Sequence, residues 1–145
     1  MRVRRLRSLL LSVLLMPSPF LNAGSGTAGV VTYPPIGVDM PLRQVSGHVY
    51  YVEGTPGAAT DNEGFISNAG FVVTGAGVVV FDALGSPSLA NALLGKIRSV
   101  TDEPIVRVSV SHYHADHIYG LQVFEDLGAE ILAPVGSGEY LASDN

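Results

Sequence analysis

The sequence of 145 residues contains no cysteine and no tryptophan. The absence of cysteine excludes a disulfide scaffold, a cysteine-based zinc finger, an iron–sulfur cluster and a cysteine nucleophile. Charged residues make up only 14% of the chain, whereas 47% of the residues are hydrophobic. This composition is that of a folded protein rather than a disordered one, and the length suits one domain at most.

Basic residues are scarce beyond the first seven positions. Four of the eight Lys and Arg residues are Arg2, Arg4, Arg5 and Arg7. The rest of the chain carries four basic against thirteen acidic side chains. Because phosphate binding needs clustered Lys and Arg, this acidic body argues against nucleic acid as a partner.

The apolar run near the N-terminus is short. Residues 8–16 follow a basic segment and precede Pro17 and Pro19. A bilayer-spanning helix needs about 20 apolar residues, so this pattern is typical of a cleaved export signal. We predict a signal peptide over residues 1–23, cleaved near residues 23–28, and a periplasmic or secreted protein with no stable membrane insertion after cleavage. An uncleaved anchor is the alternative.

The remaining chain predicts an α/β fold. The Gly- and Pro-rich residues 24–43 are interpreted as an extended lead-in to a domain over residues 44–145. A helix begins at Pro87 with Ser86 as its N-cap, and a second helix over residues 121–127 ends at Gly128. This order predicts helices packed on a sheet. Strands are predicted over residues 48–52, 68–74, 77–81, 105–110 and 130–133.

Three of the four histidines fall within six residues, at His112, His114 and His117, with Asp116 among them. Full extension would spread His112, His114 and Asp116 over about 13 Å, so the segment must curl. We predict a polar loop over residues 111–120, beyond the C-terminal end of a strand, where open sheets bind ligands. We expect His117 to point away from the others.

Imidazole and carboxylate groups are the ligands that zinc accepts when cysteine is absent. The spacing favours two histidines on one metal and an Asp–His pair on a neighbouring metal.

The segment HYHADH fits the pattern His-x-His-x-Asp-His, and residues 48–134 resemble the metallo-β-lactamase superfamily. The resemblance implies the N-terminal half of an αββα sandwich and two zinc ions in the full-length protein. It also implies an exported hydrolase in which a metal-bound hydroxide attacks a small ester, thioester, lactone or lactam substrate. Residues 68–73 and 111–117 are similar to periplasmic zinc hydrolases found alongside quinoprotein systems, and a lactamase is the enzyme alternative.

The same resemblance implies a role for each matching residue. His112 and His114 would bind the first zinc, and Asp116 and His117 the second. Asp116 would also be catalytic, because it would orient the attacking hydroxide. Asp82 would support the metal loop from behind the ligands. A turn-forming aspartate after a strand is the other interpretation of Asp82.

The sequence also departs from the family pattern. That pattern needs a third His on the first metal, a bridging Asp and a late His, and no His follows His117. We therefore expect a truncated domain with one sheet face uncovered, whose isolated chain binds metal weakly or not at all and is inactive. The alternative function is that of an inactive fragment or a non-catalytic exported metal-binding protein.

Overall fold

The structure is a computed structural model that describes residues 32–141. The predicted signal peptide lies outside the described residues. Within residues 32–141 no helix combines the length and the hydropathy that a membrane crossing requires. The elements in chain order are β1 (Leu42–Ser46), β2 (Val49–Val52), β3 (Ala69–Val73), β4 (Val78–Phe81), α1 (Pro87–Arg98), β5 (Ile105–Ser109), α2 (Ala115–Ile118), α3 (Leu121–Glu125), β6 (Glu130–Leu132) and α4 (Gly138–Leu141).

The strands form one mixed sheet in the order β1-β2-β3-β4-β5-β6. Strands β1 to β4 are antiparallel neighbours, whereas β4, β5 and β6 run parallel. Phe81 pairs with Ser109, and Ser109 pairs with Leu132. The C-terminal ends of the three parallel strands therefore lie side by side, which is where an open sheet builds its ligand sites.

Helix α1 forms as the sequence predicts. The Ser86 side chain accepts a hydrogen bond from the Leu89 backbone N–H at 3.2 Å, and Pro87 occupies the first turn. Lys96 and Arg98 lie in the last turn, where their positive charges interact favourably with the negative end of the helix dipole. Its buried residues Leu89, Leu93 and Ile97 belong to the core of the sheet.

One face of the sheet is covered and the other is open. Val80 and Val108 are neighbours across β4 and β5 and are fully buried in the core beneath the helices. Side chains alternate between faces along a strand. Phe81 follows Val80 and is 47% exposed, and Leu132 is 41% exposed at the same level of the sheet. The expected uncovered face is therefore present in the described residues.

The structure corrects three details of the sequence prediction. Residues 42–43, assigned to the lead-in, begin strand β1. Residues 115–118, assigned to a polar loop, form the helical turn α2. A short helix, α4, occupies residues 138–141, where we predicted no element. Both helices have four residues, too few for a hydrophobic period to be recognised in the sequence.

Candidate metal centre

Asp82 directly follows β4 and lies at the C-terminal end of the parallel strands, beside the end of β5. Its backbone N–H donates to the Ser109 carbonyl at 3.0 Å, which extends the parallel pairing by one residue. Asp82 has a φ of 61°, a conformation that aspartate tolerates better than most residues. Its side chain is thereby turned toward the segment that follows β5, and the residue is only 8% exposed.

The Asp82 carboxylate accepts three hydrogen bonds from that segment. The Ser111 backbone N–H donates to Oδ1 at 2.7 Å, and the Ser111 hydroxyl donates to Oδ2 at 2.8 Å. His117 Nδ1 lies 2.8 Å from the same Oδ2. One carboxylate thus ties together the beginning of the histidine segment and its last histidine.

These contacts indicate which ring nitrogen of His117 and of His112 carries the proton. An ionised carboxylate only accepts, so His117 carries its proton on Nδ1 and its Nε2 faces away from Asp82. The Ser111 hydroxyl has a single proton and donates it in the hydrogen bond to Asp82. Ser111 Oγ therefore accepts a hydrogen bond from His112 Nδ1 at 2.9 Å. In the neutral His112 ring the lone pair is therefore on Nε2, which faces His114 Nδ1.

Four candidate ligands form two pairs of donor atoms. His112 Nε2 lies 3.0 Å from His114 Nδ1, and His117 Nε2 lies 3.4 Å from Asp116 Oδ2. The ring centroids of His112 and His117 are 4.2 Å apart, so the pairs lie side by side. The prediction that His117 points away from the others is wrong. The turn α2 brings its ring back against His112.

The donor separations suit zinc. Zinc–ligand distances of about 2.0–2.2 Å in a tetrahedral arrangement place two ligand atoms on one metal about 3.3–3.6 Å apart. The His117–Asp116 separation falls in this range, and the His112–His114 separation is a few tenths of an ångström shorter. A lone pair on His117 Nε2 that faces a carboxylate oxygen at 3.4 Å is repulsive, and a metal ion between the two atoms would relieve this repulsion.

Each pair supplies only two ligands. Among the residues that the structure describes, no group of three or more His, Asp or Glu side chains is placed to hold one metal ion. A catalytic zinc usually takes three protein ligands. The donor set therefore fits zinc chemically, but the described part of the chain supplies only two of the three usual protein ligands of each site.

A cleft of about 410 Å³ adjoins His112. Its walls come from the segments after β5 and β6, which the parallel pairing places side by side. Tyr113, Pro134 and Val135 give it an apolar side, and Ser137 and Glu139 a polar one. Cavities of roughly 300–1,000 Å³ accommodate small organic molecules.

Sequence reasoning assigned no role to Ser111. The Ser111 hydroxyl donates its hydrogen bond to Asp82 rather than to a histidine base, which is the opposite of an activated serine. Only the pairing of β4 with β5 brings Ser111 and Asp82 together, so no local sequence signal could have found this contact.

Comparison with known proteins identifies the family. Residues 62–140, more than half of the chain, match the model of the metallo-beta-lactamase superfamily. This chain belongs to that superfamily.

The curated metallo-beta-lactamase IND-1 from Chryseobacterium indologenes is 28% identical over 141 residues, which are 97% of this chain and 53% of that protein. The chain thus spans about half the length of this relative.

Solved structures show the same fold. A metallo-beta-lactamase from Pontibacter korlensis superposes with a TM-score of 0.60 at 15% identity, over 73% of this chain and 48% of that one. The inverting sec-alkylsulfatase Pisa1 from Pseudomonas sp. superposes with a TM-score of 0.56 at 26% identity, over 73% of this chain and 16% of that one. The expected partial α/β fold of the superfamily is confirmed.

Proposed function

We propose that this chain is the N-terminal part of an exported, dinuclear zinc hydrolase that acts on small molecules. His112 and His114 would hold one zinc ion, and Asp116 and His117 the other. The observation that carries the proposal is the presence of two adjacent donor pairs, at 3.0 Å and 3.4 Å, beyond the carboxyl end of a parallel strand. Export rests on the basic and apolar pattern of residues 1–23.

Each residue of the candidate site has a separate role. Zinc supplies Lewis acidity and makes water a nucleophile near neutral pH. His112 presents Nε2 because its Nδ1–H donates a hydrogen bond to Ser111 Oγ, and His117 presents Nε2 because its Nδ1–H donates to Asp82. The half-buried Asp116 carboxylate can accept a hydrogen bond from a water nucleophile and so orient it. Each ring is thus held in the tautomer that a metal ligand needs.

The substrate class is a small ester, thioester, lactone or lactam. Support comes from the 410 Å³ cleft beside His112, whose size suits a small molecule, and from the acidic body, which disfavours nucleic acid. IND-1 is a metallo-beta-lactamase by name and Pisa1 a sec-alkylsulfatase. Because two similar proteins carry different activities, the fold leaves the substrate open within the small-molecule class.

A second candidate is a non-catalytic exported metal-binding protein, or an inactive fragment. The observation that favours it is that each donor pair holds only two ligands within residues 32–141. The two candidates differ in the gene beyond the codon for Asn145. A continuing reading frame with a further His, then an Asp, then a final His supports the hydrolase. A stop codon in an intact locus supports the second candidate and overturns the first.

The metal ligands are tested on the full chain by zinc titration, followed through the ¹⁵N resonances of the imidazole rings. We expect weak binding, and we expect His114→Ala and Asp116→Ala each to weaken it by at least about tenfold. His48→Ala is the matched control, because His48 is exposed and lies on the turn between β1 and β2. Equal zinc affinity in all three variants and the unaltered chain would overturn the assignment.

A further inference from the structure

Ser67 is a buried polar residue that none of the preceding chemistry uses. It is 6% exposed and lies just before β3. In the described part of the chain, the only other buried polar or charged residue is Asp82. The Ser67 hydroxyl donates a hydrogen bond to the main-chain carbonyl of Asp116, 49 positions further along.

The carbonyl of Asp116 needs a donor from outside its helix. Helix α2 has only four residues, so its last carbonyls find few partners within the helix. The Gly120 N–H, which would be the partner of Asp116 in a longer helix, donates instead to the Leu84 carbonyl at 3.2 Å. The neighbouring carbonyl of His117 accepts from the Ala83 N–H at 2.8 Å. Ser67 completes this set of tertiary contacts.

The position of Ser67 is itself fixed by the end of β2. The Gly54 N–H donates to the side-chain oxygen of Asn68 at 3.0 Å. A Cβ atom at Gly54 would lie 2.5 Å from the Ser67 carbonyl oxygen, so the two backbones approach as closely as glycine allows. In the turn after β4, a Cβ atom at Gly85 would lie 3.3 Å from the Asp116 Cα. The backbone of Asp116 is held from two directions.

We propose that Ser67 is a positioning residue for the Asp116–His117 donor pair. By holding the Asp116 carbonyl, it sets the backbone from which the Asp116 carboxylate faces His117 Nε2. It makes no contact of this kind with the His112–His114 pair. The loss of the hydroxyl should therefore weaken one donor pair and spare the other. This inference rests on the proposed function for its zinc readout but not for its structural one.

The test is a zinc titration of the full chain carrying Ser67→Ala, followed by imidazole ¹⁵N resonances. We expect the His117 midpoint to rise by about tenfold or more, as is usual when a residue that supports a metal ligand is removed. The His112 and His114 midpoints should stay near their original values. Ser99→Ala is the matched control, because the Ser99 hydroxyl also donates to a helix carbonyl, that of Lys96, away from the site.

Equal changes at all three histidines, or none at His117, would overturn the inference. If the unaltered chain binds no zinc, the proposed function fails, and the metal-free spectrum decides on Ser67 instead. Ser67→Ala should then move the Asp116 and His117 backbone amide resonances and leave His112 in place, and an unchanged spectrum overturns it. If Ser67→Ala does not fold, Ser67→Thr retains the hydroxyl, and a shifted His117 midpoint in that variant contradicts the inference.

Discussion

Asp82 and His117 are 35 positions apart in the sequence, yet Asp82 Oδ2 and His117 Nδ1 lie 2.8 Å apart. The same oxygen accepts from the Ser111 hydroxyl, which in turn accepts from His112. A single buried carboxylate therefore orients one histidine of each donor pair, one directly and one through a serine. A substitution of Asp82 should therefore alter the orientation of a histidine in both donor pairs.

The substitution Asp82→Asn tests this relationship. All three partners of the carboxylate donate, so an amide group must turn its NH₂ toward another donor. Asparagine also tolerates the φ of 61°, so the backbone is not penalised. We expect the free energy of unfolding to fall by about 1–3 kcal/mol, measured by urea denaturation. The exposed Asp39→Asn is the control, and an equal loss in both variants would contradict the role of Asp82.

Gly120 marks the closest contact between the metal segment and the core. A Cβ atom there would overlap the Ala83 carbonyl oxygen and lie 2.5 Å from the Ala90 Cβ. We expect Gly120→Ala to lower the free energy of unfolding by about 1–3 kcal/mol, as overpacking does.

Gly95→Ala is the matched control, because Gly95 lies inside α1 with open space around it. Replacing a helical glycine with alanine should raise the free energy of unfolding by about 0.5–1 kcal/mol. Opposite signs in the two variants, seen in urea denaturation, are the expected result. A stabilised Gly120→Ala would mean that the segment is not packed against Ala83 and Ala90.

Ser86 caps the first turn of α1 through the Leu89 N–H. Ser86→Ala removes the acceptor and should lower the thermal midpoint, with a loss of about 1 kcal/mol in the free energy of unfolding. Ser88→Ala, two positions further on, loses no cap and improves helix propensity, so its midpoint should not fall. Matching losses in the two variants would rule out a specific capping contribution.

The export signal is tested by the double substitution Leu11→Arg and Leu14→Arg, which breaks the apolar run of residues 8–16. We expect the precursor to stay uncleaved in the cell, whereas the unaltered chain should yield a mature N-terminus near residues 23–28. Cell fractionation and mass spectrometry of the N-terminus check this. Ala58→Arg with Ala59→Arg adds the same charge to an exposed loop and should not affect cleavage. Cleavage of both double variants would contradict the signal assignment.

Much of the fold could be predicted from local pattern. Strand patterns located β2 to β6 to within one residue at each end, and the serine cap with proline at the first turn located α1. Strand β1 was missed because its start lies in a stretch with Gly and Pro nearby, and its pairing with β2 includes a register shift. The histidine segment was correctly taken to curl, but its helical turn was not predicted, since its carbonyls are satisfied by Ala83 and Ser67 from elsewhere in the chain.

The sequence by itself determined the cluster of histidines with an aspartate and the order of β2 to β6 with α1 and α3. Each of these depends on side-chain chemistry or on a period of a few residues. The tertiary structure decided which carboxylate meets which histidine. Parallel pairing of β4 with β5 places Asp82 beside Ser111, and packing of α2 against the turn after β4 returns His117 to Asp82. Contacts between residues dozens of positions apart have no local signature, so only the folded chain could reveal them.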